Sequence, residues 1–569
     1  MFSKIIKNIL QCSFFILAGA VLFAFSNPNP LIKHGFAFTA WIMYVPYFFL
    51  IKKSTIKNCW AYSGIYGILS VGLYAYWIYN YNPLCLKISL IIAFIGMALF
   101  GSLLKVIEMY FKKHSWLIQY LAICTFEYLR TLGFLGFHYG LAAYSQWNMP
   151  LIIQSLRLVG VFGLNAFVIF SSVAVFAFLS KFRDKKIILN KMISDNKHYD
   201  GATYVNYVSE NARLLENTSL KLPFILSGLW VVLFIAMLIY GSLALKKNYN
   251  YKTVNVAAVQ HDDDPNETGI ENYREAVQRL ITLTDEALEI NPDIDFVIWP
   301  ETAVVPSIMY YYNQAENSER KKLVSYLLNY IQNRSPVFVI GNQHIVVNSD
   351  GSNRKYFNSS LTFDHKTSVI PPEPYVYSKI HLVPFSESFP YEKYLPHIYK
   401  ALLENVKFFW NEGEEISVIK TGGLSFYTPI CFEDTFPDLC RKAYKNGARC
   451  FFSLTNDSWS ASESCQYQHL AMAKFRAVEN SVPVVISAVS GQTAIIDSHG
   501  NITEMAVPFT KSYAVGQVQV IPDSQKPTIY NKIGDIFGYG IAFLLLCVLL
   551  IRFFIVIIHH IHLWQSAQK

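Results

Sequence analysis

Two residues in the second half of the chain have the types that nucleophilic catalysis at a carbonyl group requires. Glu301 follows the apolar run Phe-Val-Ile-Trp-Pro, and Cys431 follows Tyr-Thr-Pro-Ile. Asn456 and Asp457 follow a third run, Phe-Phe-Ser-Leu-Thr. A carboxylate can take up and return a proton, and a thiol that has lost its proton attacks a carbonyl carbon. Taken singly each residue is weak: a Glu after a strand is ordinarily a solvated cap, and a lone Cys ordinarily packs in a core. What joins them is their shared context, since each ends a β-rich run, and sites in open α/β sheets gather at the carboxyl ends of strands.

The elements that must hold these residues are readable around them. Val254–Gln260, Phe296–Pro300, Val337–Gly341, Phe426–Ile430, Phe451–Thr455 and Val484–Ala488 read as strands. Glu271–Glu289, Phe436–Asn446 and Gln468–Asn480 carry apolar residues at helical spacing. Strands alternating with helices predict a layered α/β domain over residues 247–528.

The rest of the chain is of another kind. Of 569 residues, 53% are hydrophobic and only 15% charged, against about 25% charged in ordinary globular proteins. Mean hydropathy is +0.26. A spanning helix needs about 20 mostly apolar residues. Such stretches lie near 8–26, 35–51, 60–80, 86–110, 115–133, 156–180, 223–245 and 535–558, which predicts a bundle of about eight spans. Residues 1–246 would hold seven of them and residues 529–569 the eighth with a tail. The fifth contains Glu127 and Arg130, polar residues that face protein or water inside a span.

The net charge of +8 is spread between the apolar segments, which points to membrane topology and away from nucleic acid. Lys4 and Lys7, then Lys52, Lys53 and Lys57, then Lys112 and Lys113, and finally a polar loop at 181–222 form the basic side. The positive-inside rule makes that side cytoplasmic and sends residues 247–528 to the opposite face. Nine cysteines are scattered without a CxxC pair, so neither a disulfide framework nor a zinc site is expected. No P-loop, GxGxxG or HExxH occurs, and His559, His560 and His562 lack further ligands, so no cofactor or metal is expected. Asp262, Asp263 and Asp264 read as a solvated loop.

On Trp299-Pro300-Glu301-Thr302, on Lys379 in Ser-Lys-Ile-His-Leu-Val-Pro-Phe, and on Cys431 in Pro-Ile-Cys-Phe-Glu-Asp, the chain resembles the carbon–nitrogen hydrolase (nitrilase-like) superfamily with its Glu-Lys-Cys triad. The apolar segments on either side narrow the resemblance to the apolipoprotein N-acyltransferase family. So do Tyr144-Ser145-Gln146, Asn456-Asp457-x-Trp459, Gln468-His469-Leu470 and Arg476-Ala477-x-Glu479.

The resemblance implies an α-β-β-α sandwich on a helical bundle in the bacterial inner membrane, with the sandwich on the periplasmic face. It implies that a fatty acyl group passes from a phospholipid, through a Cys431 thioester, to the N-terminal amine of a diacylglyceryl-cysteine apolipoprotein. In that scheme Cys431 is the nucleophile, Glu301 the general base and Lys379 the stabiliser of the oxyanion. A strand-to-helix turn and a nearby Lys would favour the thiolate of Cys431. Glu387, Glu433, Phe432 and Asn358 would support the site or bind substrate. Three departures touch substrate contacts: Phe432 stands where the family often has Tyr, an Asn-rich turn is replaced by Ser487-Ala488-Val489-Ser490, and the segment after Gln260 is acidic, Asp262-Asp263-Asp264. A membrane-tethered amidase with the same triad, or a membrane protein that only binds, are the competing readings.

Overall fold

The computed structural model describes residues 2–195, 207, 211–212, 214–216, 218–247, 251–264, 268–314, 318–347, 354–404, 409–520, 522 and 524–567. The first half is helical: α1 (Phe2–Ser26), α2 (Val45–Lys53), α3 (Cys59–Tyr74), α4 (Pro83–Phe111), α5 (Ser115–Leu129), α6 (Leu156–Asp195) and α7 (Lys221–Leu245). Local sequence sets several of these ends. The Asn82 side chain accepts the Leu84 N–H ahead of Pro83, a side-chain cap followed by a proline in the first turn.

Among the described residues five stretches are long and apolar enough to cross a membrane: Ile5–Ser26, Pro83–Leu129, Leu156–Met192, Leu214–Leu245 and Ile536–Ser566. The expected count of eight is not reproduced. The segment at 35–51 is a 3-10 turn, Ala37–Trp41, followed by the nine residues of α2. The segment at 60–80 is broken after Tyr74 and resumes as a four-residue helix, Ile78–Tyr81. The fourth and fifth segments form one stretch, α4 and α5 joined by a 3-10 turn at Lys112–His114. The predicted loop at 181–222 also begins later than expected, because α6 continues to Asp195; Lys197 and the residues up to 206 lie outside the described residues.

The basic segments do gather. Lys7, Lys53 and Arg183 line one cavity, Lys52 pairs with Asp184, and Lys181 donates to the Lys113 carbonyl. Glu127 and Arg130 pair at 2.8 Å, and Tyr44 donates to the same carboxylate, so the buried charge faces protein.

Among the described residues the second half has twelve strands: β1 (Lys252–Gln260), β2 (Phe296–Val304), β3 (Val337–Val347), β4 (Arg354–Phe363), β5 (Tyr375–Ser378), β6 (Ile419–Thr421), β7 (Leu424–Tyr427), β8 (Cys450–Thr455), β9 (Val484–Ala488), β10 (Ala494–Ile496), β11 (Ile502–Met505) and β12 (Ser512–Val520). They form two six-stranded sheets in the orders β12-β1-β2-β3-β4-β5 and β11-β10-β9-β8-β7-β6. Each has a parallel centre, β1-β2-β3 in one and β7-β8-β9 in the other, with antiparallel strands outside it.

Helices cover both outer faces: α8 (Ile270–Ile290) and α9 (Glu319–Gln332) on the first sheet, α10 (Pro437–Lys445) and α11 (Glu463–Asn480) on the second, with α12 (Ile536–Ala567) returning to the bundle. The period-two alternation of strands builds these layers. In β2, Phe296 and Ile298 enter the core between the sheets, whereas Val297 and Trp299 pack under α8 and α9. The result is the expected α-β-β-α sandwich. Its α11 layer shares one continuous core with the membrane helices.

Candidate active site

The two sheets bring the carboxyl ends of β2 and β7 to one seam. Cys431 opens a 3-10 turn, Cys431–Thr435, immediately after β7 and its Pro429-Ile430 extension along β8. Its φ is +51°, a left-handed conformation that a non-glycine residue adopts at a cost of about 1–3 kcal/mol. The surrounding bonds must therefore hold it. The helix expected at Phe436–Asn446 runs from Pro437 to Lys445, so a five-residue turn and no helix N-terminus stands next to the thiol.

Glu301 comes from the other sheet. The β2 backbone leaves the β3 ladder between Trp299 and Val304, and Thr302 there has φ +48°. That bulge passes so close to β3 that a Cβ at Gly341 would lie 2.1 Å from the Pro300 carbonyl and 2.7 Å from the Glu301 Cα. Only glycine lets β3 run beneath the carboxylate. Lys379 follows β5, and its N–H donates to the Asn358 carbonyl at 2.8 Å, which sets the two side chains next to each other. Asn358 Nδ2 donates to Glu301 Oε1 at 2.7 Å and reaches Glu387 Oε1 at 3.4 Å. The Lys379 ammonium lies 2.9 Å from the Glu387 carboxylate and 3.4 Å from that of Glu301. Glu387 in turn accepts the Val383 N–H at 2.8 Å.

All three predicted triad residues and Asn358 are buried, with Lys379 only 1% exposed. Burial alone would strip a lysine of its proton, but the Glu387 and Glu301 carboxylates outweigh it and hold the ammonium above its ordinary range. Burial raises the Glu301 carboxyl; Lys379 opposes this and Glu387 adds to it. Burial also pushes the Cys431 thiol well above its ordinary range. Glu301 reinforces that shift and Lys379 only partly opposes it. This corrects the sequence expectation of a favoured thiolate. The resting thiol keeps its proton, and a base is needed at the moment of attack.

Glu433 does not face the thiol. It caps its own turn by accepting the Ile430 N–H at 2.8 Å. It also accepts the Ile380 N–H at 2.7 Å, the His381 N–H at 3.2 Å and the Tyr377 hydroxyl at 2.8 Å. One buried carboxylate thus ties the Lys379 segment to the Cys431 turn, and burial raises its pKa to about 7. Phe432 is buried edge-on against Phe436, ring centroids 5.0 Å apart. Asp263 is no simple solvated residue: its carboxylate pairs with Arg279 at 2.7 Å.

Sequence reasoning placed Asp457 at the end of a β-rich run, quoted His469 only within a motif and gave Asp434 no role. The structure joins them into one buried group. His469 Nδ1 lies 2.8 Å from Asp457, and Nε2 lies 2.8 Å from Asp434 and 3.2 Å from the Cys431 carbonyl oxygen. The signal was present: an Asp after β7 and one after β8, with a His on the helix above both. The remaining motif residues lie at the seam with the membrane half. Arg476 pairs with Glu479 and reaches the Tyr144 hydroxyl, while Glu479 accepts the Val161 N–H from α6. Gln468 bonds Trp77 and the carbonyls of Pro28 and Tyr74.

Comparison with known proteins agrees with this division. Residues 255–521 match the carbon–nitrogen hydrolase family model, and residues 18–174 match the apolipoprotein N-acyltransferase N-terminal domain. The chain is 38% identical to apolipoprotein N-acyltransferase 1 of Treponema denticola over 94% of its own length and 96% of that protein. It is 33% identical to apolipoprotein N-acyltransferase 1 of Treponema pallidum, over 89% of each. With the apolipoprotein N-acyltransferase of Borreliella burgdorferi the identity is 28%, over 93% of each.

Proposed function

The chain belongs to the apolipoprotein N-acyltransferase family, and we propose that it carries a fatty acyl group on Cys431 from a membrane phospholipid to the N-terminal amine of a diacylated lipoprotein. The observation that carries this reading is the buried Lys379 ammonium, held between Glu301 and Glu387 at the seam where Cys431 emerges.

Glu301 takes the Sγ proton as sulfur attacks the ester carbonyl of the phospholipid. The oxyanion forms beside Lys379, whose charge is already bound and aimed, so little reorganisation is needed. The tetrahedral intermediate collapses, the C–O bond breaks, and the lysophospholipid alkoxide leaves with the proton held by Glu301. The lipoprotein amine, in its neutral form, then attacks the thioester. Glu301 takes its N–H proton, the C–S bond breaks, and the proton returns to sulfur. Asn358 keeps the Glu301 carboxylate turned toward the site. Both substrates are lipids, which accounts for a catalytic sandwich fused to apolar helices. The basic segments lie at one end of α1, near Lys7, and Gln468 meets Pro28 beyond the other end. By the positive-inside rule this arrangement supports a catalytic half on the periplasmic face of the inner membrane.

The test is the intact mass of purified wild type and Cys431→Ser after incubation with a phospholipid of known acyl chains. The expected result is a hydroxylamine-sensitive gain of one acyl mass on wild type only, discharged by a diacylated lipopeptide. An adduct that persists in Cys431→Ser, or none on wild type, overturns the thioester route.

A further inference from the structure

Cys431 needs its backbone held in a left-handed conformation, and one side chain holds its carbonyl. His469 Nε2 lies 3.2 Å from the Cys431 oxygen. The ring is clamped on both nitrogens by carboxylates, Asp457 at Nδ1 and Asp434 at Nε2, each at 2.8 Å. All three residues are buried. An imidazole between two carboxylates is most stable as the imidazolium, with both N–H groups donating. Asp434 is itself fixed by the Ser453 hydroxyl of β8 at 2.8 Å.

The consequence lies in the peptide unit that Cys431 shares with Phe432. A trans peptide is planar, so its N–H points away from its C=O. The Phe432 N–H has no hydrogen-bond acceptor among the described residues, although Phe432 is buried. A donor fixed on the carbonyl side therefore sets the direction of a free N–H next to the nucleophile, and polarises it.

We propose that Asp434, His469 and Asp457 act as one positioning device, which orients the Cys431–Phe432 peptide so that its N–H meets the developing oxyanion. The inference rests on the thioester reading above. His469 follows Gln468, which bonds Trp77 and the carbonyls of Pro28 and Tyr74, so the device sits on the helix that docks the membrane half. The other titratable groups around the ring are Cys431, Cys465 on its own helix, and Tyr139 from the membrane side, ring centroids 6.4 Å apart.

Glutamine can place its amide nitrogen where Nε2 stands, and asparagine where Nδ1 stands. The test is the single-turnover rate of acyl-adduct formation on the full-length protein for wild type, His469→Gln, His469→Asn and His469→Ala at several phospholipid concentrations. The expected result is that His469→Ala and His469→Asn lose about 100-fold in the maximal rate, the scale of a lost oxyanion donor. His469→Gln recovers most of it, and half-saturation by lipid does not move. Equal losses in Gln and Asn, or a loss seen in half-saturation alone, overturn the proposal.

Asp457→Asn covers the case in which the His469 variants do not fold. Removing one carboxylate lowers the pKa of the imidazolium, so the fall of the acylation rate at high pH moves to lower pH; an unmoved limb overturns the proposal. No adduct on wild type overturns the thioester reading and this inference together, whereas a wild-type adduct with unaffected variants overturns only the inference.

Discussion

A thiol buried beside a carboxylate cannot be activated in the way an exposed one is. Burial and Glu301 both raise the Cys431 pKa, so at neutral pH the proton stays on sulfur until Glu301 takes it. Glu301→Gln should then lower the rate of acyl-adduct formation by about 10²–10⁴-fold, the range of a positioned general base. Iodoacetamide should alkylate wild-type Cys431 slowly at pH 7, and the rate should still be climbing above about pH 8.5, the ordinary cysteine value. A plateau below that pH would mean a standing thiolate. Glu433 makes a different prediction. Its folded pKa of about 7 lies above the ordinary carboxyl value of 4.5, so the folded state holds the proton more tightly. The stability this confers is complete below pH 4.5 and is lost as pH rises through 7, on the order of 3 kcal/mol. Glu433→Gln should flatten the fall of the unfolding midpoint between pH 5 and 7. It should also lower the midpoint throughout, because an amide turns a donor toward N–H groups that need an acceptor. Glu301 and Cys431 could be found in the sequence because each ends a recognisable run. The ionisation of Cys431 could not, since burial is made by residues distant in the chain.

At the scale of elements, Glu301 depends on the bulge that lifts β2 off β3, and the bulge depends on Gly341. Gly341→Ala would place a methyl group 2.1 Å from the Pro300 oxygen, a contact that only movement of β2 can relieve. Overpacking of this kind costs about 1–3 kcal/mol, and here the displaced strand carries the base. The expected outcome is a lower unfolding midpoint together with a fall in the maximal acylation rate, with half-saturation by phospholipid unchanged. A stability loss without a rate loss would show that β2 relaxes away from Glu301. The parallel centres of both sheets were readable because β1, β2, β3, β8 and β9 are buried on both faces and so present continuous apolar runs. The outer strands were not. β5, β6, β10 and β11 have only three or four residues, and β11 is mostly exposed, so neither length nor alternation marks them. Lys379 therefore came from motif resemblance, with no strand read before it. In the membrane half the expected eight spans are not confirmed: apolar composition continues through Gly35 and Pro46, where the chain makes a 3-10 turn and a nine-residue helix, and composition alone does not fix where helices break.

For the whole molecule, the decisive element is α11, which belongs to both halves at once. Every residue from Ser464 to Asn480 is buried. One side packs on the second sheet and carries His469. The other meets the membrane half, where Phe475 packs against Tyr144 at 4.9 Å, Gln468 bonds Trp77, and Glu479 accepts the Val161 N–H. Two further ties come from the membrane side: Gln154 donates to the His499 carbonyl at 2.8 Å and Arg157 to the Ser498 carbonyl at 2.7 Å. A sandwich cut free of the helices would expose an apolar layer and leave the buried ion pair of Arg476 and Glu479 facing water. Residues 247–528 expressed alone should therefore bind a hydrophobic dye and elute as aggregates, although both sheets and the triad lie within them. Co-expression of residues 1–246 with 247–569 as separate chains should restore a detergent-soluble complex that forms the acyl adduct. A monomeric, dye-negative 247–528 fragment would show that the sandwich closes its own outer layer, and the membrane helices would then serve only to recruit lipid.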